Sequence, residues 1–443
     1  MNKVGLLSIC VLLATAAVAQ DVRTITLKEA IDLGYANSKQ LAISNAKVRE
    51  AQAKLEQAKD RQLPDVSVGG NYMHINTPNF SFAGQSDGSG SGSGSGNESP
   101  LAAFSNLHDI GLVQLTSSMP LYNGMKLRNN RVMNEYLSEA ASYDLQTTKS
   151  EVTMNTIKAV YQYYELLEGR KAFEENLRQE KQLVEEFKSK EEQGLLPRND
   201  RLKTELQANR VELGLTEINH TVELAAYNLN ILLGLPEETK LALDTAGMFE
   251  MKQTDTWDSY LTTGLANRSE LKSAGLQVKA SEANYRIAKS AQYPTLGISA
   301  GYVNAFIPNV FNVTNALNAG LSLKYSITGA FHASHSMREA RARAEQAATT
   351  QAIAEDNVRI KIRGKYLRYL EMQDKMVIND KSIKQAEENF QISDNKYNQG
   401  LMILSDYLDA DVSLLRSRVD YATSRADTMI AYYELQESIG ALQ

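Results

Sequence analysis

The 443-residue chain has one cysteine, one tryptophan, five histidines and eight prolines. Cys10 lies in an apolar stretch from Val4 to Val18, preceded by Lys3 and followed by Ala17-Val18-Ala19. That sequence reads as a signal peptide, residues 1–19, with Cys10 inside its apolar core. A mature chain beginning at Gln20 would contain no thiol, which excludes disulfides, cysteine nucleophiles and cysteine-ligated metals. Beyond the signal there is no apolar run of about 18 residues, so no ordinary transmembrane helix is expected. That leaves an exported soluble protein or a β-barrel, whose alternating strands escape a hydropathy scan. No P-loop and no Gly-rich dinucleotide motif is present, and the net charge of −6 is spread along the chain without a basic patch. Nucleic-acid binding, nucleotide-driven work and catalysis all lack their residues, and no cofactor is expected. His332 and His335 stand three apart, but no third ligand is evident beside them.

What the chain does have is a long internal repeat. Thr26, Gly34, Asn37, Ala58, Lys59, Pro64 and Tyr72 recur 230 positions later as Thr256, Gly264, Asn267, Ala288, Lys289, Pro294 and Tyr302. Gln193, Gly194, Leu195, Asp200 and Gly234 recur at an offset of 206, as Gln399, Gly400, Leu401, Asp406 and Gly440. The first copy therefore carries 24 extra residues, and SDGSGSGSGSG at 86–96 is the evident insertion. A unit this long means two similar halves side by side, not a solenoid. The halves are assigned to residues 20–234 and 258–443, joined by a connector at 235–257.

Each half opens with a helical pattern, Thr26 to about Leu63 and about Asp258 to Tyr293, which ends at Pro64 or Pro294. Thr26 and Glu29 form a capping-box signature at the first start. The period then changes to two: Val66, Val68, Gly70 and Tyr72 alternate with polar or small residues, as do Leu296, Ile298, Ala300 and Tyr302. Two strands per half are expected, at about 64–76 and 107–121, then 294–306 and 316–328. Long proline-free runs follow and break at Gly194 and Gly400, where a return helix begins. These are two long helical hairpins, 124–234 and 330–440, with arms on the order of 100 Å. The alanines at 340, 342, 344, 347, 348, 352 and 354 favour close helix approach in a thin wall. Strands of this kind also occur in soluble sandwiches. In lipid, four strands cannot close a barrel, and an open edge would leave backbone groups unpaired. Three chains would supply twelve.

The order helix, strand, strand, long hairpin, written twice, resembles the TolC family of outer-membrane efflux and secretion channels. The likeness is carried by the A-K-x-x-x-x-P junctions at 58–64 and 288–294, by Pro120-Leu121-Tyr122-Asn123-Gly124, and by Gln193-Gly194-Leu195 and Gln399-Gly400-Leu401, each glycine followed six residues later by Asp. The second strand-to-helix junction, Ser326-Ile327-Thr328-Gly329, departs by lacking the proline. The resemblance implies a mixed α and β fold of mostly long helices: a homotrimer with a shared 12-stranded β-barrel in outer-membrane lipid, four strands per chain, continued by a periplasmic α-helical barrel. It implies a passive exit duct in a tripartite efflux pump or type I secretion system, served by a periplasmic adaptor (membrane fusion protein) and an inner-membrane transporter. The loops at 76–106 and 307–316 would face outside.

Position by position, the resemblance puts Asp406 and Asp409 at the periplasmic aperture, where six carboxylates in a trimer would favour cations. Helix first-turn acids stabilised by the dipole would look the same in sequence, and Asp200 is one more of that kind. The resemblance also pairs Asp200 with Tyr397 as a closed-state latch between neighbouring hairpins. The family's arginine two residues after the second glycine is Met402 here, which leaves a weaker latch or a substitute in Arg198 or Arg201. Gly194, Leu195, Gly400 and Leu401 fall at the tips that would meet the adaptor, although a C-cap glycine with its apolar neighbour gives the same pattern. A reading from another class, a secreted or periplasmic coiled-coil structural protein or adhesin, accounts for the helices. It does not account for four alternating strands placed alike in both halves.

Overall fold

The computed structural model describes residues 22–74, 76, 109–250, 255–307 and 311–442. The expected signal peptide, the Gly/Ser run at 86–96 and nearly all of the 76–106 loop lie outside these residues. The elements run β1 (Arg23–Ile25), α1 (Leu27–Asn37), α2 (Lys39–Asp60), β2 (Asp65–His74), β3 (Asp109–Tyr122), α3 (Lys126–Glu192), α4 (Arg198–Leu233), β4 (Leu241–Leu243), α5 (Trp257–Asn267), α6 (Ser269–Lys289), β5 (Thr295–Ile307), β6 (Phe311–Lys324), α7 (Ile327–Asn398) and α8 (Leu404–Ser438). The chain divides into two compact units that cut across the sequence repeats. One falls within Met1–Asn45, Leu145–Ser269 and Glu355–Gln443, the other within Ala46–Asp144 and Glu270–Ala354.

The second unit holds an antiparallel sheet in the order β2-β3-β5-β6. Register makes its two faces chemically different. Val68, Leu115, Tyr302 and Leu317 form one row across all four strands, and the next row on that face is Val66, Ser117, Ala300 and Ala319. The opposite face carries Ser67, Thr116, Gly301 and Asn318 in a row. Apolar side chains on the first face stand bare: Val68 is 76 % exposed and Leu317 83 %. Among the described residues, nothing pairs with the outer edges of β2 and β6.

The strands differ from the sequence expectation at their ends. The strand expected at 316–328 runs Phe311–Lys324, so part of the expected 307–316 loop is strand. It stops early because the Ser326 hydroxyl accepts a hydrogen bond from Gly329 N at 3.1 Å, starting α7 at Ile327. The strand expected at 107–121 is Asp109–Tyr122 and slips register between Pro120 and Tyr122. Its exit into α3 uses two consecutive left-handed residues, Gly124 (φ 62°) and Met125 (φ 65°). The proline missing from the second copy thus marks two physically different corners.

The first unit is helical around a two-stranded parallel sheet in which β1 pairs with β4. The connector at 235–257 carries no strand signal in sequence, yet β4 lies in it and α5 already begins at its end, at Trp257. Tyr161 and Tyr163 of α3 donate their hydroxyls to the Met248 and Leu241 carbonyls, the second at 3.0 Å, which fastens this connector. Tyr161, Ile157, Leu229, Leu233, Met429 and Leu435 are buried in the core.

The opening helical pattern of each half is broken into two helices. Ser38 leaves the helical region (ψ 113°), and its hydroxyl accepts from Leu41 N; Arg268, whose side chain has no acceptor, leaves it in the second half (ψ 118°). The residue before each break is an asparagine, and it meets the left-handed glycine that ends the hairpin of the same repeat. Asn37 donates to the Leu233 carbonyl at 2.8 Å beside Gly234 (φ 70°), and Asn267 packs on Gly440 (φ 73°). A Cβ on Gly234 would lie 2.3 Å from Asn37 Cγ. Gly234→Ala is therefore expected to cost roughly 2 kcal/mol or more, through left-handed strain and overlap together. A lower thermal midpoint of the detergent-solubilised protein reads this. The comparison is Gly364→Ala, where nothing lies within 4 Å of the new Cβ. There the helix should gain up to about 1 kcal/mol; equal losses at both sites would refute the seam.

Candidate functional site at the hairpin tips

Both tips are built alike. Gly194 (φ 73°) and Gly400 (φ 72°) end α3 and α7 in the left-handed region. Gly194 N bonds Glu191 O and Leu195 N bonds Lys190 O, each at 2.8 Å. Gly400 N bonds Tyr397 O at 2.9 Å and Leu401 N bonds Lys396 O at 2.8 Å. These are Schellman closures. Their leucines do not fold back onto the helix: Leu195 is 73 % exposed and Leu401 72 %. Asp200 and Asp406 occupy the first turns of α4 and α8, where the helix N-terminus favours a carboxylate. Asp406 and Asp409 are both exposed, on the face of α8 away from its buried residues Leu404, Tyr407, Ala410 and Asp411.

Behind the tips lies an aromatic cluster that sequence analysis missed. Phe187 of α3 is fully buried and stacks on Tyr397 of α7 at 5.9 Å; Tyr397 stacks on Tyr407 of α8 at 5.1 Å, and Phe390 joins Tyr407 at 5.7 Å. Met402 packs on this cluster with Leu183, Leu196 and Leu408. Its thioether fills apolar space at the position where the family resemblance leads to an arginine.

Within one protomer, no hydrogen bond joins Asp200 to Tyr397. The Asp200 carboxylate pairs with Lys203 at 3.6 Å. Burial first, then the negative fields of Asp200 and Glu186, push the Tyr397 phenol above its usual value, so it stays a proton donor. Arg201, a candidate substitute for the missing arginine, is held by Glu191 and Glu205. His335 lies 2.7 Å from the Arg338 guanidinium, a poor setting for a metal ligand. Among the described residues no cluster of three or more His, Cys, Asp or Glu is placed to hold a metal.

One further group was missed, one helical turn from Tyr407. Asn176, Glu180 and Asp411 are each only 3 % exposed. Asn176 Nδ2 donates to both Asp411 oxygens, at 2.9 and 2.8 Å. Spacing from Tyr407 marks Asp411 for the buried face of α8, but nothing in the sequence names its partners on α3.

The sequence profile of the outer membrane efflux protein family matches residues 30–235 and 261–441. The chain belongs to this family. It is an outer-membrane efflux channel component with a periplasmic extension. It is 21 % identical over 421 residues to the pyoverdine export outer membrane protein OpmQ of Pseudomonas putida, covering 94 % of this chain and 85 % of the relative. Its fold is similar to that of VceC from Vibrio cholerae, with a TM-score of 0.75, 18 % identity and coverage of 94 % and 96 % of the two chains. It is also similar to the open state of the MtrE channel of Neisseria gonorrhoeae, with a TM-score of 0.76, 14 % identity and coverage of 94 % and 89 %.

The aromatic cluster sets how firmly the tip of this channel component is held. Phe187→Ala would leave a cavity among Tyr397, Tyr407 and Leu183, a loss of about 3–5 kcal/mol in packing. Hydrogen exchange should rise over residues 396–411 and stay unchanged over 229–243; a uniform rise across both segments would show instead that the ring supports the whole fold.

Proposed function

We propose that three copies of this chain form a passive, non-enzymatic exit duct whose periplasmic end is gated at the hairpin tips. The observation that carries the trimer is the four-stranded sheet with one bare apolar face and two unpaired edges. Pairing β6 of one copy with β2 of the next satisfies both edges, and three copies give a barrel of twelve strands with the apolar rows facing lipid and the polar rows facing the lumen. The alanines of α7 support the same assembly, because Ala342, Ala348 and Ala352 are exposed in the single chain. Small side chains there let helices of neighbouring copies approach closely.

In this reading Asp406 and Asp409 line the aperture and present six carboxylates to the axis. Their exposure within the protomer leaves them free to do so. Leu195 and Leu401, beside Gly194 and Gly400, form apolar tips for the hairpins of a periplasmic adaptor, which links the duct to an inner-membrane transporter. Asp200 and Tyr397 act as a latch between hairpins of adjoining copies, the phenol donating to the carboxylate.

In planar bilayers the wild-type chain should form trimer-sized, cation-selective pores. Replacing both Asp406 and Asp409 by alanine should lower the cation-to-anion permeability ratio several-fold, read as a shift of the reversal potential in a salt gradient. Unchanged selectivity would remove these two residues from the aperture. Tyr397→Phe keeps the ring stack and deletes only the hydroxyl. A charge-assisted bond contributes about 1.5–3 kcal/mol, so spontaneous opening should rise roughly tenfold or more; unaltered opening would exclude the latch.

A further inference from the structure

We infer that Glu180 of α3 and Asp411 of α8 share a single buried proton, and that this proton locks α8 onto α3 just behind Asp406 and Asp409. The lock is a property of the protomer, and only its consequence for gating rests on the channel reading above.

The geometry assigns the proton. Both side chains are nearly sealed from solvent, and Glu180 stands one helical turn after Asn176, on the buried face of α3 that meets Asp411. Two carboxyl groups facing one another in such a site cannot both stay ionised, and a hydrogen between them removes the repulsion. Asn176 gives its amide hydrogens to both oxygens of Asp411, which makes Asp411 the better-solvated anion. Glu180 has no comparable donor, and its Oε2 is buried without a partner. That is tolerable for the carbonyl oxygen of a neutral acid and costly for a carboxylate. Glu180 therefore carries the proton and donates it to Asp411.

No cation is at hand to replace it. Among the described residues, neither acid has a lysine, arginine or histidine within ion-pair distance. The titratable groups that share the pocket are Tyr407 of α8, Glu186 of α3 and Asp394 of α7, whose fields meet those of Glu180 and Asp411 at the Tyr407 phenol. α4, which packs against α8, buries no charged side chain. Arg418, a cation further along α8, is paired with Glu175 of α3 at 3.6 Å. When the proton leaves to solvent, two adjacent anions remain in a buried site with only Asn176 to solvate them, and α8 must move to admit water.

The sign follows from linkage. In the packed state Glu180 is pushed up from 4.5 to about 8, by burial first and then by the hydrogen bond and charge of Asp411. With α8 released and Glu180 in water, the group returns to its ordinary value. Between those two values the packed state holds one more proton. The lock is at full strength below the lower value, and the ratio of locked to released forms falls about tenfold per pH unit until the upper value is reached. Mild alkalinity loosens the helix that begins with the aperture carboxylates, and acid tightens it.

The test uses the full chain in detergent, with hydrogen exchange over residues 404–414 corrected for intrinsic pH dependence, from about pH 5 to pH 9. Wild-type protection should fall with rising pH up to about 8 and then level off. Glu180→Gln keeps the size and the neutral hydrogen bond and removes the titration, so its profile should be flat at high protection. Asp411→Asn leaves Glu180 buried without its charged neighbour, and should move the upper end of the slope to lower pH. A wild-type profile that is already flat, or a Glu180→Gln profile with the wild-type slope, overturns the shared proton. If Glu180→Gln does not fold, an Asp411→Asn profile identical to wild type overturns it equally. Open probability in bilayers is read separately: a chain that conducts at no pH refutes the channel reading, while exchange alone still decides the lock.

Discussion

In hydrocarbon every backbone N–H and C=O must find its partner within protein, and that condition governs this molecule. A four-stranded sheet with a bare apolar face and two unpaired edges cannot meet it alone. In the proposed trimer further copies of the chain complete it, which fixes the strand number, the inward polar face and the outward apolar face together. The duplication then becomes intelligible. Each half brings one antiparallel pair, β2 with β3 and β5 with β6, and the two pairs join through β3 and β5. Neither pair would be stable by itself, because a lone hairpin buries too little.

Two buried glutamates on these helices illustrate how the same cost of desolvation is met in opposite ways. Glu434 of α8 lies 2.6 Å from Lys158 and 2.7 Å from Lys365, with Arg368 at 3.8 Å, and these cations outweigh burial and hold its carboxyl below the usual value. Glu180 has only another acid beside it, and its carboxyl is held above the usual value. The first arrangement ties α3, α7 and α8 together at any pH near neutrality. The second joins α3 and α8 through a bond that exists in one protonation state. Position matters here, since Glu434 sits near the C-terminal end of α8 and Asp411 near its start, next to the residues proposed to form the gate.

Much of the fold is legible in sequence because its signals are local and repeated. The change of period after Pro64 and Pro294 marks β2 and β5, and the glycines at 194 and 400 mark the tips to the residue. What is not legible depends on partners far away. β1 and β4 are three residues each and pair across more than 200 positions, too short to carry a pattern. The breaks at Ser38 and Arg268 sit inside unbroken helical periodicity, since the asparagine beside each answers to a glycine at the other end of its repeat. Spacing puts Asp411 on the buried face of α8, but its meeting with Asn176 follows only from how α3 lies on α8. Arg201 reads as free to reach Tyr397, but Glu191 and Glu205 take it first.

The two tips began as copies and have diverged in what holds them. On the first, polar residues hold one another across the turn: Arg201 joins Glu191 on α3 to Glu205 on α4. On the second, Met402 turns into the cluster of Phe187, Leu404 and Tyr407. Even a partly shielded ion pair at the surface is weakened by salt and tolerates small movements of its helices. A packed aromatic cluster has little charge to screen, and it resists displacement until the rings separate, because interiors are close-packed and respond in steps. Phe187 belongs to the first hairpin, yet its ring is stacked on Tyr397 of the second. Movement of α7 and α8 must therefore break apolar contacts with α3 as well as the Glu180 to Asp411 bond. The second tip is held through this cluster, against which Leu196 of the first tip also packs, and such all-or-none contacts suit a gate better than yielding ion pairs.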